Sequence, residues 1–264
     1  MPTLWDEWFG RKATGRLQRR ILSHHRWNQE IWGETIKENL TQPVRWMDSG
    51  CGWRLLGKNL EPLENELVSR AGLAVGVDLD FPHLRKHVNL SRLTCASLAS
   101  LPFSDASFDL VTCNMVVEHL PTPFVIFQEM SRVLAPGGTL MVHTPNTRNY
   151  LVFANVLAKK LLPRPLALKL VHDGRAGDDI YPTYYRANDE PTLRKLGESV
   201  RLRPESVRFL TQPQPYTRFF APAAFFELLL MRATRMRPLD RFGATIVMVF
   251  RKQAGDVARV PRAA

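Results

Sequence analysis

Val44 to Arg54, VRWMDSGCGWR, constrains this chain more than any other stretch. An apolar run (Val44, Trp46, Met47) ends at Asp48, and Gly50 and Gly52 come immediately after, so a buried strand is expected to feed a tight glycine turn. Glycine tolerates positive φ and lacks the Cβ that would hold a ligand away, which is why such turns recur at strand ends in open α/β sheets. A bare Gly-x-Gly turn is more often structural than functional. The downstream residues decide between the two.

Leu73 to Asp80, LAVGVDLD, is a second apolar run closed by carboxylates, with Asp78 placed 26 residues after Gly52. Doubly wound folds set an acid at roughly 20 residues from the glycine turn, where it accepts hydrogen bonds from ribose hydroxyls. Asp80 is a fainter candidate for that role and also lies where a helix near Pro82 needs an N-cap. Leu98 to Val111 (LASLPFSDASFDLV) and Glu129 to Asn146 (EMSRVLAPGGTLMVHTPN) complete a series of four blocks.

In this order the blocks resemble the class I S-adenosylmethionine-dependent methyltransferases, within the small-molecule group (methyltransferase type 11) that includes the ubiquinone-biosynthesis enzymes. The resemblance covers Val44 to Asn146 and implies S-adenosyl-L-methionine as cofactor. Its binding residues would be Asp48, Gly50, Cys51, Gly52, Asp78, Leu79, Ser97, Leu98 and Asn114. The implied fold is α/β: a Rossmann-like, doubly wound, seven-stranded, mostly parallel sheet with helices on both faces, N-terminal helices before it and a helical insertion after strand five. The chain then divides into an N-terminal helical cap (1–43), a cofactor-binding half (44–146), a substrate-lid insertion of helices and loop (147–187), the C-terminal part of the same domain (188–253) and a tail (254–264).

Two positions depart from the family pattern. Arg54 stands where the family has a third glycine, which implies a reshaped turn. Ser97 stands where an acid receives the adenine amino group, and a hydroxyl accepts that bond more weakly. These departures keep a second reading open, a methyltransferase-fold binding or partner protein that has lost cofactor use.

Methyl transfer in such enzymes rests on in-line approach of nucleophile to methyl, with a base only where the acceptor must lose a proton. An oxygen acceptor is the expectation here. His119, just past the fourth strand (Phe108 to Asn114), is one candidate base, since imidazole titrates near neutrality, or else a histidine bonded into a helix start. His143, near the end of the fifth strand, is another, although alternation along the strand can equally aim it into a helix layer. Ubiquinone-type relatives carry a glutamate four residues before the histidine as part of a divalent-ion site. Met115 occupies that place, so no metal is predicted.

Helical periodicity spans 11–40 and Pro43 ends it; further helices are expected over 61–70, 81–87, 123–134, 150–170 in two pieces, 189–199 and 222–236. Strands are expected at 139–144, 207–211 and 244–252. Within the polar, aromatic loop from Gly174 to Tyr185, and just after it, Asp178, Tyr181, Tyr184, Tyr185 and Arg186 are the candidate substrate contacts.

Charge sets the expected partners. Residues 46–150 carry 8 Lys/Arg against 10 Asp/Glu, whereas 151–264 carry 20 against 10, so the basic excess sits in the C-terminal half. Solvation of the surface accounts for such a bias, and so does an anionic small-molecule substrate or an acidic membrane surface in peripheral contact. No basic block with interleaved aromatics matches a nucleic-acid module, which argues against nucleic acid as a partner. Phe219 to Met236 joins an apolar run to Arg232, Arg235 and Arg237, either as an interfacial helix or as a buried one packed on the sheet. Cys51, Cys95 and Cys113 show no CxxC spacing and read as reduced thiols in a cytoplasmic compartment. No apolar run is long enough to span a bilayer, and the N-terminus lacks the apolar core of a signal peptide.

Overall fold

A computed structural model describes residues 8–23, 26–161, 181–211 and 215–254. Its elements run α1 (Arg11–Ile21), α2 (Asn28–Asn39), β1 (Arg45–Ser49), α3 (Glu61–Arg70), β2 (Leu73–Asp78), α4 (Phe81–Leu84), β3 (Leu93–Cys95), β4 (Phe108–Asn114), α5 (Pro123–Val133), β5 (Leu134–Pro145), α6 (Tyr150–Leu161), α7 (Glu190–Ser199), β6 (Leu202–Leu210), α8 (Ala221–Ala233) and β7 (Thr245–Lys252).

The seven strands form one sheet in the order β3-β2-β1-β4-β5-β7-β6. β1 to β5 are mutually parallel, and β7 runs antiparallel to both β5 and β6. The chain winds outward from β1 to β3 and then returns to β4 on the other side of β1. That reversal opens a crevice beyond the carboxyl ends of β1 and β4, the place where ligands bind in doubly wound sheets.

Alternation along the strands builds a core on each face. Met47, Val111, Leu140, Val142 and Met248 face α5 and α7, where Phe127, Met130 and Leu193 meet them. Trp46, Leu110, Met141 and Val247 face the other way, onto Trp32 and Ile36 of α2 and Leu67 of α3. Trp32 and Ile36 are fully buried, and such side chains contribute about 2 kcal/mol each. This burial fixes α2 beside the carboxyl ends of β4 and β5.

The helical stretch expected over 11–40 divides into two helices. Leu22 leaves helical geometry (φ −116°, ψ 51°) and Trp27 is extended before α2 begins. The break has a packing reason: α1 docks on α8 through Leu17, Ile21 and Leu22, whereas α2 docks on the sheet. β5 begins at Leu134 rather than Thr139. Leu134 pairs with Phe108 and Thr139 with Leu110, so the residues between, Pro136 to Gly138 among them, bulge out of the ladder instead of ending it. α4 is shorter than expected, and β6 longer. Of the helices expected over 150–170, the first is α6; 162–180, with candidate Asp178, lie outside the described residues.

Candidate active site

The glycine turn and the strand-two acid meet. Gly50 (φ 71°) and Gly52 (φ 54°) both take left-handed backbone. The N–H groups of Gly50 and Cys51 donate to Val77 O at 2.7 and 3.1 Å, so the turn folds over the tip of β2. Gly52 N–H then donates to Asp78 Oδ2 at 2.8 Å, and Asp80 N–H donates to Asp78 Oδ1 at 2.8 Å. Each carboxylate oxygen has a second lone-pair direction for a ligand hydroxyl.

The two glycines differ in surroundings. A Cβ on Gly50 would sit 2.3 Å from Val116 Cγ2, so this position is closed by the protein itself. A Cβ on Gly52 would meet nothing within 4 Å. Gly52 therefore borders open space that a side chain would enter, with its N–H bonded to Asp78.

Arg54 does not enter it. Its guanidinium lies 3.3 Å from Glu64 and 3.8 Å from Glu61 of α3, and 5.2 Å from the Trp53 ring. Glu64 is fully buried, and its other oxygen accepts Leu56 N–H at 2.6 Å. The arginine thus pins the widened turn to α3, a structural use of the position where the family has glycine.

Beneath the turn, Asp48 is buried and accepts Thr112 Oγ1–H at 2.5 Å; that oxygen in turn accepts Trp46 Nε1–H at 2.7 Å. Burial pushes the Asp48 carboxyl up to about 7, with the Thr112 bond opposing and Asp78 adding to the rise. Cys51 is buried with its sulfur against Gly76, and burial raises its thiol, so only its backbone faces a ligand. Leu79 is 71% exposed beside Asp78, whereas Leu98 packs on the core. Ser97 is exposed, and its Oγ accepts Ala99 N–H at 3.2 Å.

Asn114, at the tip of β4, is tied down by three partners. Its Nδ2 donates to Leu55 O (3.1 Å) and Gln29 Oε1 (2.9 Å), and its Oδ1 lies 2.9 Å from His143 Nδ1. His143 is buried, contacts Thr245 Oγ1 through Nε2 at 3.0 Å and stacks on Trp32 at 5.5 Å. Burial depresses its pKa to about 3. Of its two expected orientations, the helix layer is the one observed, with the imidazole buried against Trp32.

His119 is differently placed. Its Nδ1 lies 2.7 Å from Pro182 O, and a carbonyl only accepts, so Nδ1 carries the proton and Nε2 is the basic nitrogen. Nε2 lies 3.9 Å from Glu118 Oε1. Glu118 is buried and its carboxyl is pushed up to about 7 by burial, with a bond from Thr144 Oγ1–H (3.1 Å) opposing the rise. Thr144 is held by Asn188 Nδ2–H at 2.6 Å.

A strap of residues 181–188 crosses this corner. Tyr184 and Tyr185 N–H donate to Glu118 O at 2.7 and 3.2 Å, and Arg186 donates to Pro121 O at 2.7 Å. Tyr181 donates to Asp80 and lies 3.1 Å from His83 Nδ1, and its ring meets His119 edge-on at 6.0 Å. Asp80 caps α4, accepting His83 N–H at 3.0 Å, and the Tyr181 and His83 bonds hold its carboxyl down to about 2. Four of the five substrate candidates therefore lie on one strap over the strand tips. Sequence reasoning misses Glu118, Gln29 and His83 as parts of the site, and it does not foretell that the candidates Asp80 and Tyr181 bond each other, because these contacts join residues far apart in the chain and leave no local signal.

Residues 47–142 match the family described as a methyltransferase domain. The ubiquinone biosynthesis O-methyltransferase of Paraburkholderia phymatum is 26% identical over 163 residues, covering 54% of this chain and 69% of that protein. Its namesake from Vibrio cholerae is 32% identical over 124 residues, covering 45% and 49%. The chain thus spans between about half and about two thirds of these curated relatives. In fold, it is similar to the crystal structure of an S-adenosylmethionine-dependent methyltransferase from Methanosarcina mazei, with a TM-score of 0.53 at 19% identity over 84% of this chain and 98% of the other. Over residues 47–142 the chain thus matches a methyltransferase domain, and in sequence and fold it is similar to S-adenosylmethionine-dependent methyltransferases.

Proposed function

We propose that the chain transfers a methyl group from S-adenosylmethionine to an oxygen of a small-molecule acceptor, with His119 as the base. The observation that carries this reading is the open space beside Gly52, whose N–H is bonded to Asp78, together with a basic imidazole nitrogen in the segment that follows the adjoining strand β4. The cofactor, when bound, supplies an electrophilic methyl carbon on a sulfonium.

The protein's own groups do the rest. Asp78 accepts the ribose hydroxyls, and Gly52 leaves room for the nucleoside. His119 Nε2 accepts the acceptor's hydroxyl proton as that oxygen gains nucleophilic charge. Pro182 O fixes the ring and its tautomer. Tyr184, 5.8 Å from the Arg186 guanidinium, supports an acceptor with an aromatic ring and an anionic group. The oxygen specificity draws on relatives named as O-methyltransferases. The competing reading, a domain that has lost its cofactor, gains nothing from Arg54, whose side chain is committed to α3.

The test is transfer of radiolabelled methyl from S-adenosylmethionine into extractable product across a panel of catechols, phenols and carboxylic acids. Phenolic acceptors should be methylated, and His119→Ala should lower kcat about 100-fold with little change in S-adenosylhomocysteine affinity. Undiminished turnover in His119→Ala would remove the base from the mechanism.

A further inference from the structure

Helix α8 is apolar almost all the way round, yet only one side of it is covered. Ala221, Ala224, Leu228 and Met231 are buried, the last two against Leu17, Ile21 and Leu22 at α1. Phe225, Phe226, Leu229 and Leu230 occupy the opposite stripe and are exposed, Phe226 by 71%. The outward side of a surface helix normally carries polar residues, and a contiguous apolar patch there marks an interaction site.

The one acid of α8 is withdrawn from that face. Glu227 turns inward and accepts Tyr150 O–H (2.7 Å), Tyr216 N–H (2.7 Å), Thr217 N–H (2.8 Å) and Thr217 Oγ1–H (2.6 Å). The neighbouring surface is cationic. α1, with no acid in its sequence, exposes Arg11, Lys12, Arg16, Arg19 and Arg20 beside α8, and Arg232, Arg235 and Arg237 are exposed at the far end. Phe219, where the two helices meet, lies beneath Arg11 at 4.3 Å and Arg218 at 5.1 Å. A hollow of about 210 Å³ at this junction is walled by Trp8, Leu17 and Ala221 and carries Arg16 and Arg20.

We propose that the α1–α8 face docks on an anionic phospholipid bilayer. The Phe225, Phe226, Leu229 and Leu230 stripe enters the headgroup boundary, and the α1 arginines neutralise lipid phosphates. Charge complementarity selects this occupant, since a second copy would set the same row of arginines against itself. The geometry is interfacial: α8 is about 20 Å long, and no helix among the described residues is long and apolar enough to cross a membrane.

Flotation of the full chain with phosphatidylcholine vesicles, with and without phosphatidylglycerol, tests the proposal. Binding should require the anionic lipid and fall as salt is raised. Phe226→Ser combined with Leu230→Ser should weaken it about tenfold or more. Arg19→Ser and Arg20→Ser should each weaken it about fivefold. Both sets should keep the wild-type melting temperature and S-adenosylhomocysteine binding. Equal flotation with neutral and anionic vesicles, or wild-type flotation of the Phe226→Ser/Leu230→Ser protein, would overturn it. So would a vesicle-indifferent chain that forms a dimer abolished by that same pair of substitutions.

Discussion

A carboxyl group walled off from water keeps its proton to higher pH than one in solvent, and Glu118 is raised from 4.5 to about 7 for that reason. The folded state therefore holds a proton that the unfolded chain has already released between those values. Stability from this residue is undiminished below pH 4.5, falls as pH rises to about 7, and stays low beyond. Glu118→Gln, which retains an acceptor for Thr144, removes that dependence. Relative to wild type, it should gain about 3 kcal/mol between pH 4.5 and pH 8 in urea unfolding. A difference that does not change with pH would mean that Glu118 is ionised and solvated. Glu118 also marks the limit of what single residues disclose. Gly50, Gly52 and Asp78 are legible because left-handed backbone and a strand-end acid are local properties of the chain. The strain on Glu118 comes from burial under Thr144 and Asn188, which lie 26 and 70 residues onward, and no local pattern announces it.

At the scale of elements, the turn after β1 holds its shape through α3. Arg54 bridges the two, and its partner Glu64 is fully buried. Arg54→Met keeps the stem but leaves that carboxylate unpaired, which should cost about 3 kcal/mol of folding stability. Because the arginine lies outside the hollow, S-adenosylhomocysteine affinity of the folded variant should stay within about threefold of wild type. A large loss of affinity without loss of stability would show that the arginine serves the cofactor directly. Element positions are legible where turn chemistry is local, as at Asp189, which caps α7 by accepting Thr192 N–H at 3.0 Å. They are less so where tertiary partners decide. α1 and α2 share one helical periodicity but dock on different surfaces, and the Pro-Gly-Gly run bulges from β5 because the register with β4 continues past it.

For the whole molecule, the sheet order brings the tips of β1, β2 and β4 together at the point where the winding reverses, and the 181–188 strap crosses the same corner. The four sequence blocks foretell this arrangement because each carries a strand, and parallel winding gathers the strands' carboxyl tips on one edge. The strap is not foretold, since it is placed by contacts to Glu118, Pro121 and Asp80 rather than by any periodicity of its own. We infer that the open space beside Gly52 and the Asp78 carboxylate hold one nucleoside. Calorimetric titration of S-adenosylhomocysteine into wild type, Asp78→Ala and Gly52→Ala tests it most directly. Wild type should bind saturably and one-to-one, with affinity lowered about 100-fold or more in Asp78→Ala and lowered also in Gly52→Ala, whose methyl group enters the open space. Absence of binding by the folded wild type at millimolar ligand, or affinity unchanged in both variants, would contradict it.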